Sequence, residues 1–226
     1  MHGVMLGRNY RTRPHSPRQG IYLMKSSKII VPALFIFLLL FVTDSRAQEN
    51  FKLSFGLEGG VAWADIGAEH TAQTIANLSG STVTYSYDEA TWIARAFFDM
   101  PVHKNVLIEA GLFQSGSLDA TYTLNGATAT EGYSMRGIDA SIVLKPDAEP
   151  LFIKAGIHSS EVVGEASITI GGTTYAANAS ESGIGGLLGI GFQSRDKGLR
   201  AGVTYYDNVG GMDDADVVMG FVGYKF

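Results

Sequence analysis

From residue 51 onward, hydrophobic and polar positions alternate with a period of two along the chain. In the first such segment, the odd positions from Phe51 to Trp63 are mostly large and apolar, whereas the even positions from Lys52 to Ala62 are polar or small. Alternation of this kind places successive side chains on opposite faces of a β-strand. The segment is therefore predicted to be a strand with one apolar face and one polar face.

Seven further segments alternate in the same way. They cover approximately 92–98, 106–112, 138–144, 151–158, 184–193, 199–205 and 218–226. A tilted strand that crosses a bilayer needs about 9–11 residues, and bacterial barrels have even strand numbers from eight upward. An open sheet in lipid would leave its edge groups unpaired, so such a sheet must close. We predict an all-β, eight-stranded antiparallel up-and-down transmembrane β-barrel.

The connections between these strands alternate in length. The short ones are 99–104, 145–150 and 194–198, and the long ones are 64–89, 117–130, 161–181 and 207–215. Short periplasmic turns and longer extracellular loops are typical of outer-membrane barrels. The long connections are rich in Gly, Ser, Thr, Ala and Asn. We expect them to be solvated, mobile surface loops.

Six charged residues fall on the polar face of the predicted strands. They are Glu58, Arg95, Glu109, Asp139, Lys154 and Arg200. An eight-stranded barrel is only just wide enough to hold side chains, and an unpaired buried charge is costly. We therefore predict that these residues form a connected ion-pair network that closes the lumen. In a water-soluble eight-stranded barrel, the alternative, the apolar face would fill the interior. Aromatic residues at both ends of the apolar face favour the membrane barrel.

The front of the chain has the layout of a secretory signal. An apolar run spans 29–42, Lys25 and Lys28 precede it, and Ser45-Arg46-Ala47 follows it with small residues at the −3 and −1 positions. We predict a signal peptide over 24–47 that is cleaved after Ala47. An uncleaved helical anchor is the alternative. Residues 1–23 are interpreted as a spurious or disordered extension, and 48–226 as the outer-membrane barrel.

Charge and composition narrow the classes of function. After Ala47 there are 10 Lys and Arg residues against 21 Asp and Glu residues, a net charge of −11, which argues against a nucleic-acid partner. The chain has no cysteine, which excludes a Cys-ligated metal site. Asp207, Asp213, Asp214 and Asp216 cluster in the last connection without the spacing of a known calcium loop. We expect no metal and no cofactor.

Three segments carry a resemblance to a known family. They are Leu151–Ile157, Leu199–Tyr206 and Val222–Phe226. The chain resembles the transmembrane domain of outer-membrane protein A and related small eight-stranded barrels, without the peptidoglycan-binding domain of longer relatives. The resemblance implies an outer-membrane location, with lipopolysaccharide and other outer-membrane lipid as surroundings. Tyr224 and Phe226 resemble the signal that the barrel-assembly machinery reads, although Phe221 stands where the family often has glycine.

A candidate enzymatic motif competes with a structural interpretation. His158 and Ser160, with Glu161 and Glu165 nearby, resemble the residues of lipid A deacylases. The alternation places His158 inside the lumen, so we predict a polar filler and no enzyme. The predicted role is structural or surface interaction: membrane integrity, adhesion, or binding of a host surface, phage or ligand by the loops. A narrow ion or solute pore and a lipid A-modifying enzyme are the alternatives.

Overall fold

The structure is a computed structural model that describes residues 53–146, 150–194, 198–212 and 215–226. The predicted signal peptide and the extension before it lie outside the described residues, so both stay predictions. Within the described ranges, no helix is long and apolar enough to cross a membrane.

Ten antiparallel strands, one helix and one 3₁₀ turn make up the described chain. Their order is β1 (Ser54–Ala64), α1 (Ala68–Ser79), β2 (Thr84–Tyr87), β3 (Ala90–His103), β4 (Val106–Ser115), β5 (Leu118–Leu124), β6 (Ala127–Leu144), β7 (Leu151–Ile170), β8 (Thr173–Gln193), β9 (Leu199–Tyr206), the 3₁₀ turn (Val209–Gly211) and β10 (Val217–Lys225). Eight strands form a ring in the order β1-β3-β4-β6-β7-β8-β9-β10, and β10 pairs with β1 to close it. The predicted all-β, antiparallel up-and-down architecture is confirmed.

Strands β2 and β5 extend the sheet beyond this ring. Short breaks at 88–89 and 116–117 separate β2 from β3 and β4 from β5. The two short strands pair with each other, and β5 also pairs with the first half of β6. Each therefore continues a barrel strand past the mouth of the ring, at the end opposite the short connections. We refer to the two ends of the barrel as the wall end and the short-turn end.

Two of the four predicted loops are strands, and that prediction was wrong. Strands β7 and β8 are 20 and 21 residues long and pair without interruption up to Ile170 and Thr173. Gly171 and Gly172 both have positive φ and form the two-residue turn between them, as Asn125 and Gly126 do between β5 and β6. Such turns match the twist of paired strands. The result is a one-sided wall, composed of β2, β5 and residues 127–135, 162–170 and 173–181.

Helix α1 lies in the connection 64–89, which the sequence pattern did not predict to be helical. Its buried residues Ala68 and Ala72 pack against Ala120 and Tyr122 on the inner face of the wall. Gly67 and Gly80 flank the helix, and both adopt left-handed φ values, which glycine tolerates. The helix therefore covers part of the wall beside the barrel mouth.

The two faces of the barrel differ sharply in chemistry. Large apolar side chains cover the outside, and many are more than half exposed, including Ile153 at 54%, Leu188 at 61% and Val222 at 68%. Charged side chains are buried inside instead, such as Arg95 at 1% exposure. Exposed aromatic residues stand near both ends of the apolar surface. At the wall end they are Trp63, Trp92 and Tyr205, and at the short-turn end they are Phe55, Phe192, Tyr224 and Phe226. This is the reverse of a water-soluble barrel, whose apolar residues would fill the interior.

Candidate functional site

Arg95 is the centre of a buried ion cluster in the lumen. Strand β3 directs its side chain inward, where the guanidinium contacts carboxylates from three other strands. Its Nε and Nη2 donate to Asp139 at 2.7 and 2.6 Å, and its Nη1 donates to Glu58 at 2.9 Å. Its Nη2 also lies 2.9 Å from Glu109. Because a guanidinium has five donors in a plane, it can serve several carboxylates at once.

Arg200 and Lys154 complete the cluster. Arg200 Nε lies 2.9 Å from Glu58, and its Nη1 lies 2.6 Å from Glu109. Lys154 Nζ is 3.8 Å from Glu109. The structure thus brings together all six lumen charges named from the sequence, three cations and three carboxylates. Their charges balance, which limits the cost of keeping them in a space of low dielectric constant.

Aromatic side chains fill the lumen towards the short-turn end. The Arg200 guanidinium carbon lies 4.4 Å from the Phe97 ring centre, 4.6 Å from that of Phe152 and 5.7 Å from that of Phe221. Cations and aromatic faces attract each other at such distances. Further along, Lys225 pairs with the buried Asp99 at 2.8 Å. The sequence did not predict this second ion pair, because Asp99 falls in the segment 99–104, which was predicted to be a short turn.

A second layer closes the lumen on the wall-end side of the charges. Tyr206, Phe113 and His158 pack against one another, with the Tyr206 ring centre 5.2 Å from that of Phe113 and 5.4 Å from that of His158. The Tyr206 hydroxyl also lies 3.5 Å from Asp139 Oδ2. Ile93 and Met219 are buried at 1% and 0% exposure in the same cluster. The interior is thus filled on both sides of the ion cluster.

Glycine makes room for these large side chains. A Cβ atom at Gly111 would lie 2.6 Å from Arg95 Nε, so the guanidinium occupies the space that a side chain there would need. A Cβ at Gly189 would lie 2.7 Å from Lys154 Cε. Glycine on the inward positions therefore lets a narrow barrel hold long cationic side chains.

His158 and Ser160 are both buried inside the barrel, at 1% and 3% exposure. His158 Nε2 hydrogen-bonds the backbone oxygen of Asp207 at 2.7 Å, and Ser160 Oγ accepts from Gly210 N at 2.9 Å. The two side chains thus hold the connection between β9 and β10 over the lumen, His158 at Asp207 and Ser160 within the 3₁₀ turn. A lipid acyl chain on the outer surface has no access to either group.

The acidic residues of the last connection serve separate purposes. Asp207 accepts a hydrogen bond from Gly186 N, and Asp216 accepts one from Tyr205 OH at 2.6 Å. Asp213 and Asp214 lie outside the described residues. In the part of the chain that the structure describes, no three His, Cys, Asp or Glu side chains are grouped to hold a metal ion.

A polar row marks where the apolar outer surface ends. Gln114, Arg136, Glu161 and Ser182 are paired in sequence across β4, β6, β7 and β8. Arg136 Nη2 lies 2.7 Å from Glu161 in an exposed ion pair. Beyond this row, the outer face of the wall carries hydroxyl and carboxylate groups such as those of Thr130, Glu165 and Ser167. The wall therefore stands above the apolar band.

On the inner face of the wall, two tyrosines share one carboxylate. Tyr122 and Tyr133 both donate to Glu131, the latter at 3.1 Å. Burial first, and then the neighbouring carboxylate, raise the pKa of both hydroxyls above the ordinary value. The three side chains link β5 to β6 above the barrel mouth, so side-chain hydrogen bonds add to the backbone pairing of this hairpin.

Tyr224 and Phe226 both face outward at the short-turn end, at 45% and 72% exposure. Their ring centres are 5.1 Å apart in an edge-on contact, and Phe226 N donates to Phe55 O at 2.7 Å. Residues 224–226 therefore continue the sheet beside β1 and place two aromatic rings on its apolar surface.

Comparison with known proteins gives structural neighbours of low sequence identity. No protein-family model matches the chain, and no curated protein matches it in sequence. Ail, the attachment invasion locus protein of Yersinia pestis, solved in complex with the heparin analogue sucrose octasulfate, is 10% identical, with a TM-score of 0.46 over 77% of this chain and 99% of Ail. The outer membrane protein OprG from Pseudomonas aeruginosa is 12% identical, with a TM-score of 0.43 over 78% of this chain and 97% of OprG.

Neisserial surface protein A is likewise 12% identical, with a TM-score of 0.36 over 78% of this chain and 98% of its own. The structural neighbours are small outer-membrane barrels. At such low similarity they say nothing of the ligand or activity of this chain. Its fold is defined by its own strand pairing and by its apolar outer and charged inner faces.

Proposed function

We propose that the protein is an integral outer-membrane β-barrel that presents its wall at the cell surface for recognition of a partner. One observation carries the proposal: β6, β7 and β8 continue about nine residues past the apolar band as a paired sheet, while the lumen beneath them is filled. A barrel that only spanned the membrane would not need this extension. A filled lumen leaves little space for solute, so transport is the weaker hypothesis.

The membrane location is supported by the apolar outer surface and its two sets of aromatic residues. Exposed Leu188 and Val222 would be costly in water, where roughly 25 cal/mol is lost for each Å² of apolar surface left in contact with solvent. In hydrocarbon the same surface is favourable, and Trp63 and Tyr224 lie where interfacial aromatic residues are found. Export through the signal peptide and recognition of Tyr224 and Phe226 by the barrel-assembly machinery belong to this proposal.

An epitope inserted between Gly171 and Gly172 tests the location and orientation. The tag should bind antibody on intact cells, because the turn ends the longest hairpin of the wall. The same tag between Lys104 and Asn105, in a short turn, should bind antibody only after the outer membrane is permeabilised. Equal labelling of both tags on intact cells would contradict the orientation, and a freely soluble periplasmic protein would contradict the membrane location.

A shortened wall tests the surface role. Removing residues 166–177 and joining Glu165 to Asn178 through an Asn-Gly turn keeps the barrel and removes the end of the wall, since these two residues are partners in the sheet. Cells with this variant should lose adhesion to host surfaces or adsorption of phage that cells with the full protein show. Detergent resistance should be unchanged, because the barrel remains. Unchanged binding together with lowered detergent resistance would favour a purely structural role.

A further inference from the structure

A cavity of about 390 Å³ opens at the wall end of the barrel, above the filled lumen. We call it the vestibule. Its walls are mostly apolar and come from several strands and the 3₁₀ turn, with Ala62, Leu118, Met135, Val162, Val209 and Val217 among the lining residues. Most of these belong to the same buried cluster as Phe113 and Met219, which form its floor. The vestibule is therefore a blind apolar cavity and not a section of a channel.

Several polar side chains that line the vestibule already form hydrogen bonds within the protein. Ser115 Oγ donates to Gly116 O at 2.8 Å and accepts from Met135 N at 2.9 Å. Tyr133 donates to Glu131, and Asp65 accepts from Gly67 N at 2.8 Å. Water in such a space finds few partners, and an apolar molecule that displaces poorly bonded water gains affinity. The lining thus favours a ligand held by apolar contact.

The rim of the vestibule selects against negative charge. Asp65 and Asp216 are exposed at its edge, and Glu69 follows in the first turn of α1. A carboxylate or phosphate head group would meet like charges there, which costs binding energy. A dry apolar cavity of about 150 Å³ accepts one benzene molecule, so the vestibule has room for a compound of about two rings.

We propose that the vestibule is a binding site for a small, uncharged and mostly hydrocarbon molecule that enters from the outer side. This inference is separate from the surface role of the wall, because it concerns the barrel mouth and is tested on purified protein without cells. The ligand does not pass through, since Ile93, Phe113, Tyr206 and Met219 close the floor.

Methionine methyl groups provide the readout. The described residues contain four methionines, of which Met135 and Met212 line the vestibule, Met219 lies in its floor and Met100 lies towards the short-turn end. Protein with ¹³C-methyl methionine in lipid nanodiscs would be titrated with 1-naphthalenemethanol and, separately, with 1-naphthoate. With the alcohol, we expect saturable shifts of the Met135 and Met212 signals and no shift at Met100. The anion should bind at least about tenfold more weakly, a difference of about 1.4 kcal/mol in binding free energy.

Two matched variants test the location. Ala64 lines the vestibule, and Ala64→Trp should fill it and abolish the saturable shifts. Ala201→Trp places the same side chain on the lipid-facing surface of β9 and should leave binding intact. Shifts that rise linearly, that include Met100, or that survive in Ala64→Trp would overturn the proposal. If Ala64→Trp fails to fold, the comparison of the alcohol with the anion in the unaltered protein still decides, since equal shifts with both would also overturn it.

Discussion

Arg95 and Asp139 form a two-pronged pair inside the barrel, with Nε and Nη2 of the arginine donating to the two carboxylate oxygens at 2.7 and 2.6 Å. Replacing Arg95 with methionine would remove both of these hydrogen bonds from the buried Asp139, whereas Glu58 and Glu109 would keep Arg200 as a partner. Loss of one partner of a buried pair costs about 3–5 kcal/mol. The free energy of unfolding, measured by urea titration in lipid vesicles with a gel-mobility readout, should fall by that amount.

The control for this variant is Arg136→Met. Arg136 also pairs with a carboxylate, but the pair with Glu161 is exposed, and exposed pairs contribute about 0–1 kcal/mol. Similar losses for the two variants would show that the lumen cluster does not hold the barrel together.

The filled lumen predicts that the protein is a poor conductor. Reconstituted into planar bilayers, it should give no steady single-channel current under conditions in which a general porin does. Glu109 contacts all three lumen cations, so a pore through the cluster would respond to Glu109→Gln. A steady current in the unaltered protein that changes in this variant would support the pore hypothesis instead.

Two positions on one face of β8 test which surface contacts lipid. Leu188 lies in the middle of the apolar outer face, and Ala176 lies on the same face within the wall. Arginine at a lipid-facing position near the middle of the bilayer costs about 2–4 kcal/mol, and much less towards the interface. Leu188→Arg should therefore lower the folded fraction in vesicles strongly, whereas Ala176→Arg should leave it almost unchanged. A larger loss of folded protein in Ala176→Arg than in Leu188→Arg would contradict the assignment of lipid to the apolar band around Leu188.

Neighbouring glycines in β1 should differ in their tolerance of alanine. A Cβ at Gly60 would lie 1.9 Å from the backbone oxygen of Gly220, whereas one at Gly59 would have nothing within 4 Å. Backbone atoms of a paired strand cannot move aside cheaply, so Gly60→Ala should destabilise the barrel by about 1–3 kcal/mol. Gly59→Ala should stay within about 0.5 kcal/mol of the unaltered protein. Urea unfolding of the two variants side by side provides the measurement.

The shared carboxylate on the wall predicts a pH effect. Glu131 raises the pKa of Tyr122 and Tyr133, so Glu131→Gln should lower the pH at which both hydroxyls ionise. NMR signals of the hydroxyl-bearing tyrosine carbons would report each titration, and Glu165→Gln on the opposite face of the wall is the control. Both pKa values are higher in the folded protein than the ordinary tyrosine value of about 10. The neutral hydroxyls therefore stabilise the hairpin fully below about pH 10, and this stabilisation is lost as the pH rises through the folded-state pKa values. No difference between the variants would mean that burial alone sets these pKa values.

The barrel could be predicted from the sequence because alternation with a period of two fixes the face of each residue. Closure then forces inward residues such as Glu58 and Arg95 into one space, without any knowledge of the pairing. Which carboxylate pairs with which cation depends on the stagger of the strands, and alternation does not contain that information. The contact of His158 with Asp207 is of the same kind, because it depends on how the turn before β10 folds back over the lumen.

The wall and the helix were missed for different reasons. Residues 161–181 are rich in Ser, Thr, Ala and Gly, so both faces of these strands are small or polar and the alternation fades. In α1, Ala68, Ala72 and Ile75 do follow helical spacing, but two of the three are small and the apolar stripe is weak. The glycines at 67 and 80 were the available signal, since they bracket a segment of helical length.

The tip of the β7–β8 hairpin is the Gly171–Gly172 turn, so the end of the wall carries no side chains. A phage fibre or an antibody that approaches along the barrel axis first meets peptide groups, which are the same in every protein. Discrimination has to come from the flanks of the hairpin, where residues such as Tyr175 and Thr169 can be replaced without disturbing the turn. Variants that escape such a binder are expected to change those flanks and to keep the glycines.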